Sequence, residues 1–110
     1  MQRAKTTELL DRVCAQLDDA GIEFARNESC FECAGARVFL YLGKAYYEIM
    51  IYDDAGRQSN YDIRHGFASL ELADLDVIAQ RIIRFLQSAE HLNADGTMSP
   101  LLPSGRYVLK

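Results

Sequence analysis

Two segments of the chain repeat their apolar residues at the three-to-four-residue spacing of an amphipathic helix. The first is predicted from about Thr7 to Ala20, with Thr6 or Thr7 as its cap and Gly21 as its left-handed stop. The second is predicted from about Asp74, its natural cap, to Glu90. The two apolar stripes are Leu9, Leu10, Val13, Cys14 and Leu17 in the first helix, and Leu75, Ile78, Ala79, Ile82, Phe85 and Leu86 in the second.

Between these helices the pattern changes to the two-residue alternation of β-strands. Arg37–Leu42 and Ala45–Tyr52 are predicted to form an antiparallel hairpin closed by a two-residue type II′ turn at Gly43-Lys44. That turn sets the register and gives the sheet an almost wholly aliphatic face. The pairs on this face are Leu42 with Ala45, Leu40 with Tyr47, and Val38 with Ile49; the pairs on the other face are Tyr41 with Tyr46, Phe39 with Glu48, and Arg37 with Met50, extended by Tyr52.

Shorter alternating segments flank the hairpin. Ile22–Arg26 is predicted to be a short strand, and Phe31 and Cys33 either continue it or lie in a loop over Asn27–Gly35. Asp53–Arg57 is a predicted turn, because Asp and Gly favour turns. Gln58–Arg64 is a predicted fourth strand, ended by His65-Gly66.

This order of elements predicts one α+β domain over residues 1–110. Two amphipathic helices need one apolar surface to cover, and the aliphatic face of the hairpin provides it. The expected architecture is a two-layer sandwich, in which an antiparallel sheet of three to four strands carries two helices on one face. Residues 92–110 are predicted to be an extended tail that packs on the domain, with a short strand at residues 106–110 as an option.

Composition and charge narrow the class of protein. Hydrophobic residues make up 49% of the 110 residues and charged residues 25%, which is typical of a soluble globular domain. The longest apolar run is the five residues Val38–Leu42, so no segment is expected to span a membrane. The formal net charge is −4, and no basic cluster is present to hold phosphates, so nucleic-acid binding is not favoured. An N-terminal segment without an apolar signal, and an odd number of cysteines, predict a cytoplasmic protein with free thiols.

The face of the hairpin opposite the helices is the leading candidate for function. A half-exposed sheet is normally polar on this side, whereas Tyr and Met with a few charges are typical of an interface core. Arg37 and Glu48 are expected to be diagonal neighbours that pair across the strands. We call this surface the aromatic face; its residues are Arg37, Phe39, Tyr41, Tyr46, Glu48, Met50 and Tyr52.

Several occupants of the aromatic face remain open at this point. It could meet a partner protein or a second copy of the chain, hold a small ligand, or stack nucleic-acid bases, although few cations lie nearby. The C-terminal tail could also fold back over it. The apolar residues of that tail are Leu101, Leu102, Tyr107 and Leu109.

The cysteines offer an alternative, a metal- or thiol-dependent protein. Cys30 and Cys33 have the spacing of half a zinc site, and His65 is the best third ligand. Cys14 and His91 are the remaining candidates, but Cys14 is placed in a helix core. A redox Cys-x-x-Cys pair usually opens a helix, whereas this one lies between strands. We therefore expect two ordinary cysteines and no bound metal or cofactor.

A catalytic role has little in the sequence to support it. Cys30 or Cys33, or the carboxylates of Asp53 and Asp54, would have to act with His65, and no orienting third group is evident. No Gly-rich phosphate loop or nucleophile-elbow motif is present. Arg81 and Arg84, at the edge of the second helix stripe, are expected to be solvated, with a small anion or partner contact as the alternative.

The sequence therefore predicts a small non-enzymatic protein-binding module of the adaptor, chaperone-like, immunity or inhibitor type. It is expected to act through the aromatic face, either on another protein or as a homodimer.

Overall fold

In a computed structural model of the protein, the described part of the chain forms two helices and seven strands. It covers residues 2–53, 55–58, 63–66, 74–93 and 95–102, with backbone only for 2–4, 63–65 and 92. The elements are α1 Gln2–Asp19, β1 Ala25–Arg26, β2 Cys30–Cys33, β3 Ala36–Leu42, β4 Tyr46–Tyr52, β5 Ile63–Gly66, α2 Leu75–Ser88, β6 Glu90–Leu92 and β7 Met98–Pro100.

Strands β1 to β5 form one antiparallel sheet in which sequential strands are neighbours. Helices α1 and α2 pack against each other, and α1 crosses β3. One continuous core joins both helices to the alternate residues of β3 and β4 that include Val38, Leu40 and Ile49. The predicted fold class, an α+β arrangement with an antiparallel sheet, is confirmed. A separate two-stranded sheet of β6 and β7 is an addition to it.

The first helix begins earlier than predicted and ends at Asp19, one residue before its predicted end. It begins at Gln2, so Thr6 and Thr7 lie inside the helix and cannot be its cap. Gly21 has φ +72°, and its N–H donates to Asp18 O at 3.0 Å, while Ile22 N–H donates to Leu17 O at 3.0 Å. These bonds form the Schellman motif that satisfies the last carbonyls of a helix.

The second helix shows the predicted cap. Asp74 Oδ1 accepts hydrogen bonds from the N–H groups of Asp76 and Val77, at 3.0 and 3.3 Å. The helix ends at Ser88, two residues before the predicted end. Ile83, which the predicted stripe left out, is fully buried, whereas Phe85 is only partly buried.

The central hairpin has a different register from the predicted one. The turn is centred on Lys44-Ala45 instead of Gly43-Lys44, because Gly43 N–H donates to Tyr46 O at 2.8 Å. Moving the turn by one residue shifts every pair by two and leaves each residue on its predicted face. The observed pairs are Leu42 with Tyr47, Tyr41 with Glu48, Leu40 with Ile49, Phe39 with Met50, Val38 with Ile51, and Arg37 with Tyr52.

The flanking strands are shorter or displaced. Only Ala25–Arg26 of the predicted Ile22–Arg26 strand pairs, and Cys30–Cys33 forms a strand of its own. The fourth predicted strand, Gln58–Arg64, is described only at its two ends: Gln58 forms an isolated bridge with Tyr52, and Ile63 and Arg64 belong to a strand that continues to Gly66. The residues between, 59–62, lie outside the described part.

The segment after α2 contributes to the core. It turns back through the hairpin of β6 and β7, and Leu101 N–H donates to Ala89 O at 3.1 Å. Leu101 and Leu102 are 1% and 0% exposed and belong to the same core as the helices. These two leucines therefore do not cover the aromatic face. Tyr107, Leu109 and the optional strand at 106–110 lie outside the described residues.

Burial of Cys14 predicts a loss of stability at alkaline pH. Burial raises the pKa of this thiol from 9.0 to about 11. The thiol therefore loses its proton at a lower pH in the unfolded chain than in the folded chain. The contribution of the protonated thiol to the free energy of unfolding is complete below pH 9 and is lost as the pH rises through about 11. Two pKa units correspond to at most about 2.7 kcal/mol.

Urea unfolding of the wild type and Cys14→Ala between pH 8 and 11, in the presence of a reductant, measures this contribution. The free-energy difference between the two proteins should narrow as the pH rises. Burial also raises the pKa of Cys33 and Tyr47, so Cys14→Ala should retain part of the alkaline slope. A difference that stays constant from pH 8 to 11 would show that Cys14 does not titrate differently on folding.

Candidate interaction surface

The two central strands place alternate residues on opposite sides of the sheet. Val38, Leu40 and Leu42 of β3 are buried, and so are Tyr47, Ile49 and Ile51 of β4. The residues between them are only partly buried, and Tyr41 is 41% exposed. All seven predicted members of the aromatic face lie together on the side away from the helices. Sequence alternation alone therefore located this surface.

Aromatic contacts order the two ends of this face. At one end Phe39 and Tyr52 meet edge to face, with ring centroids 5.6 Å apart. At the other end Tyr41 and Tyr46 are 5.9 Å apart and tilted by 42°. Tyr46 also lies over Gly43, where an added Cβ would come within 2.6 Å of the ring atom Cε1. The absence of a side chain at Gly43 thus gives the ring of Tyr46 its room, and the rings of the face pack in two pairs.

Arg37 and Glu48 are not the diagonal pair that the predicted register implied. Arg37 pairs with Tyr52 and Glu48 with Tyr41, so the two lie four positions apart along the ladder. At about 3.3 Å per residue the separation is roughly 13 Å, which is too far for an ion pair. The larger separation follows from the position of the turn, because a two-residue change of register moves one charge away from the other.

The charge of Arg37 is uncompensated within the described part of the chain. Glu32 lies beside it in the β2–β3 ladder and is exposed, yet the two form no ion pair. Arg37 instead borders a cleft of about 340 Å³ whose other lining residues are Phe39, Met50, Tyr52 and Gly56. This end of the aromatic face thus combines an apolar floor with a cation at its rim, and it suits an apolar group that carries a negative charge.

A second cleft, which the sequence did not predict, lies beside the aromatic face. β2 pairs with β3 only as far as Phe39, and beyond that point Leu42 N–H donates to Thr6 Oγ1 of α1 at 3.2 Å. The cleft is bordered by Thr6, Thr7, Leu10, Glu28, Ser29, Phe39, Leu40, Tyr41 and Met50. Helix α1 and the loop before β2 reach this place only by tertiary packing, so no local pattern marks their residues.

Cys30 and Cys33 point to opposite faces of β2, because they are three positions apart along a strand. Cys33 belongs to the core, and its thiol contacts Glu23 O at 3.2 Å. Cys30 lies on the side of the aromatic face next to Phe39, and its thiol contacts Asn27 Oδ1 at 3.2 Å. All three cysteines are free and buried. One metal ion or one disulfide therefore cannot join Cys30 and Cys33 in this strand.

The other candidate metal ligands do not assemble. The described residues contain no group of three or more His, Cys, Asp and Glu side chains arranged to hold a metal. The side chain of His65 lies outside the described part. His91 is 1% exposed, and neither ring nitrogen has a hydrogen-bond partner among the described residues. It lies in β6, in the two-stranded sheet and not in the sheet that holds Cys30 and Cys33. The predicted third and fourth ligands thus receive no support.

Asp53 has a structural role in the turn after β4. The side chain is 3% exposed and accepts hydrogen bonds from the N–H groups of Ala55 and Arg57 and from the Arg57 guanidinium. Burial by itself raises the pKa of this carboxyl, but the hydrogen bonds and charge of Arg57 outweigh it, and the pKa lies below its usual value. Arg57 also donates to Asn93 O, which ties the turn to the segment after β6. Arg81 and Arg84 are exposed on α2, as expected for solvated side chains.

Comparison of the chain with protein-family models, with curated proteins and with solved structures returned no match. Within the described residues, neither helix is long and apolar enough to cross a membrane. What the chain does must therefore be argued from the geometry of its own surfaces.

Proposed function

We propose that the protein is a small non-enzymatic binding module that acts in the cytoplasm by burying its aromatic face against the surface of another protein. The proposal is carried by one observation: the face of the sheet away from the helices holds Phe39, Tyr41, Tyr46, Met50 and Tyr52 together. A sheet face that only met water would hold polar residues at these positions.

The composition of the face supports a protein partner over other ligands. Tyr, Met and Arg are enriched in the cores of protein interfaces, where rigid rings bury area at little cost in side-chain entropy. The two ring pairs, Phe39–Tyr52 and Tyr41–Tyr46, are already in contact in the single chain. Binding therefore requires little further ordering, which favours affinity. Three free cysteines are in keeping with action in a reducing compartment.

The rival functions have weaker support. A thiol- or metal-dependent protein needs Cys30 and Cys33 on one side of a strand, and they point to opposite faces. Base stacking on a sheet needs cations around the rings to hold phosphates. Arg37 is the one cation among the seven residues of the aromatic face, and Glu32 and Glu48 are close to it or to the rings.

Affinity capture with paired variants tests the proposed role. The double variant Tyr41→Ala/Met50→Ala removes the most exposed ring and the central apolar side chain of the face. Val77→Ala is the matched control, because Val77 is 40% exposed on α2, on the helix side. Tagged wild type and each tagged variant are used to capture proteins from a cell extract that also contains untagged copies of the chain. The amount of each captured protein is then compared between wild type and the variants.

The double variant should capture at least tenfold less of a protein that wild type captures. Truncation of an aromatic residue at an interface hot spot costs about 2 kcal/mol or more of binding free energy, which is about thirtyfold in affinity. Val77→Ala should retain it, and the melting temperatures of all three proteins should lie within a few degrees. Equal capture by wild type and the double variant would contradict the proposal. Unfolding of the double variant would also contradict it, because the face would then belong to the core.

A further inference from the structure

We propose that the partner of the aromatic face is a second copy of this chain, packed about a two-fold axis so that Arg37 of each copy meets Glu48 of the other. The inference rests on the proposed protein-binding role and names the partner for that role. It is carried by the arrangement of charge on the face.

Arg37 and Glu48 occupy symmetric places about the Phe39–Met50 pair of the β3–β4 ladder. Phe39 and Met50 pair directly, Arg37 is two residues before Phe39, and Glu48 is two residues before Met50. The strands are antiparallel, so the two charges lie at opposite ends of the face and on different strands. The midpoint of the line that joins them falls on the Phe39–Met50 pair.

A two-fold axis can use this arrangement without any change of the chain. The axis lies in the plane of the interface, passes the Phe39–Met50 pair, and runs perpendicular to the line from Arg37 to Glu48. Rotation by half a turn then brings Arg37 of one copy over Glu48 of the other, and the same contact is made a second time. Self-complementary contacts of this kind define the isologous interfaces of two-fold dimers.

The surroundings of each charge fit the pairing. In the single chain, Arg37 has no ion pair among the described residues, and it borders the apolar cleft formed with Phe39, Met50 and Tyr52. In the strand register Glu48 lies between Tyr41 of β3, the most exposed ring of the face, and Arg64 of β5. A carboxylate has two oxygens, so Glu48 can accept hydrogen bonds from a second guanidinium as well. An incoming guanidinium would therefore meet a carboxylate and an aromatic ring together, which is a favourable setting for arginine.

Charge reversal and rescue between two variants test the dimer. Arg37→Glu places a carboxylate at both position 37 and position 48, and Glu48→Arg places a guanidinium at both positions. Each variant alone should dissociate at least ten times more readily than wild type, because like charges then meet twice in the dimer. An equimolar mixture should regain the dimer, since Glu at 37 in one copy meets Arg at 48 in the other. Arg84→Glu, on the exposed side of α2, is the control that should leave association unchanged.

Sedimentation equilibrium of the full chain, at concentrations from about 1 to 500 μM, measures the dissociation constant of each protein. This range covers the micromolar dissociation constants expected of an interface of modest affinity. Glu48 lies opposite Arg64 in the β4–β5 register, so the melting temperature of Glu48→Arg is measured first. If that variant unfolds, Tyr41→Arg replaces it in the mixture, because Tyr41 lies beside Glu48 at the same end of the face.

The outcomes separate this inference from the proposed function. Dimeric wild type, two weakened variants and a restored mixture support the second copy as partner. Wild type that stays monomeric at every concentration overturns this inference, as does a mixture that stays as dissociated as its components. If wild type is monomeric but captures a different protein, and Tyr41→Ala/Met50→Ala abolishes that capture, the proposed function stands and that protein occupies the face.

Discussion

Truncation of Leu101 to alanine is expected to lower the free energy of unfolding by about 2–5 kcal/mol, as for other fully buried leucines. Leu101 is 1% exposed, and its N–H is fixed by the carbonyl of Ala89. The cavity left behind would open in the core shared with both helices. The large expected loss reflects a C-terminal segment that is part of the domain rather than a loose tail.

Urea unfolding at neutral pH measures this loss, and Met98→Ala supplies the control. Met98 is in β7, three residues away, and is 49% exposed, so its truncation should change stability by less than about 0.5 kcal/mol. A loss below 0.5 kcal/mol for Leu101→Ala would mean that the segment after α2 does not complete the core in solution.

Truncation of two neighbouring residues of β4 should affect different properties, one the stability of the fold and the other association. Ile49 is fully buried under the helices, so Ile49→Ala should cost about 2–5 kcal/mol of folding free energy. Met50 is the next residue and lies on the aromatic face, so Met50→Ala should cost less than about 1 kcal/mol and weaken association instead.

Thermal unfolding of dilute samples, at which association is negligible, separates these effects. Ile49→Ala should melt far below wild type, and Met50→Ala close to it. Equal melting temperatures for the two variants would show that both faces of the sheet are buried in the single chain. The aromatic face would then have no free surface with which to bind a partner.

The alternation in β3 and β4 was enough to predict the two faces. Each strand has seven residues with large apolar side chains at every second position, and a two-residue period decides the side of a sheet whatever the register. The C-terminal end of α1 and the start of α2 were predictable for a similar reason. Asp74 and Gly21 act through local hydrogen bonds and a positive φ, which depend on neighbours in sequence.

The register was not predictable from the turn residues alone. Gly43 suggested the first turn position, but it lies at the end of the strand, where its missing side chain makes room for the ring of Tyr46. That contact is a cross-strand packing effect that turn preferences do not describe. The Arg37–Glu48 separation, on which the proposed dimer depends, followed only once the register was known.

The short elements were the least predictable. Cys30–Cys33 has four residues and β6 and β7 have three each, too few for a periodic pattern to stand out. A Cys-x-x-Cys spacing suggested a shared site, whereas a strand turns its first and fourth residues to opposite sides. The burial of Leu101 and Leu102 is a tertiary effect, because α2 and β7 bring them to the core.

Site-specific photocrosslinking tests most directly whether the aromatic face meets a protein. A photoreactive phenylalanine analogue replaces Tyr41, which is 41% exposed on that face, or Val77, which is 40% exposed on the helix side. After irradiation in living cells, we expect a discrete protein adduct from position 41, with twice the mass of the chain if the partner is a second copy, and none from position 77. No adduct from position 41, or the same adducts from both positions, would contradict it.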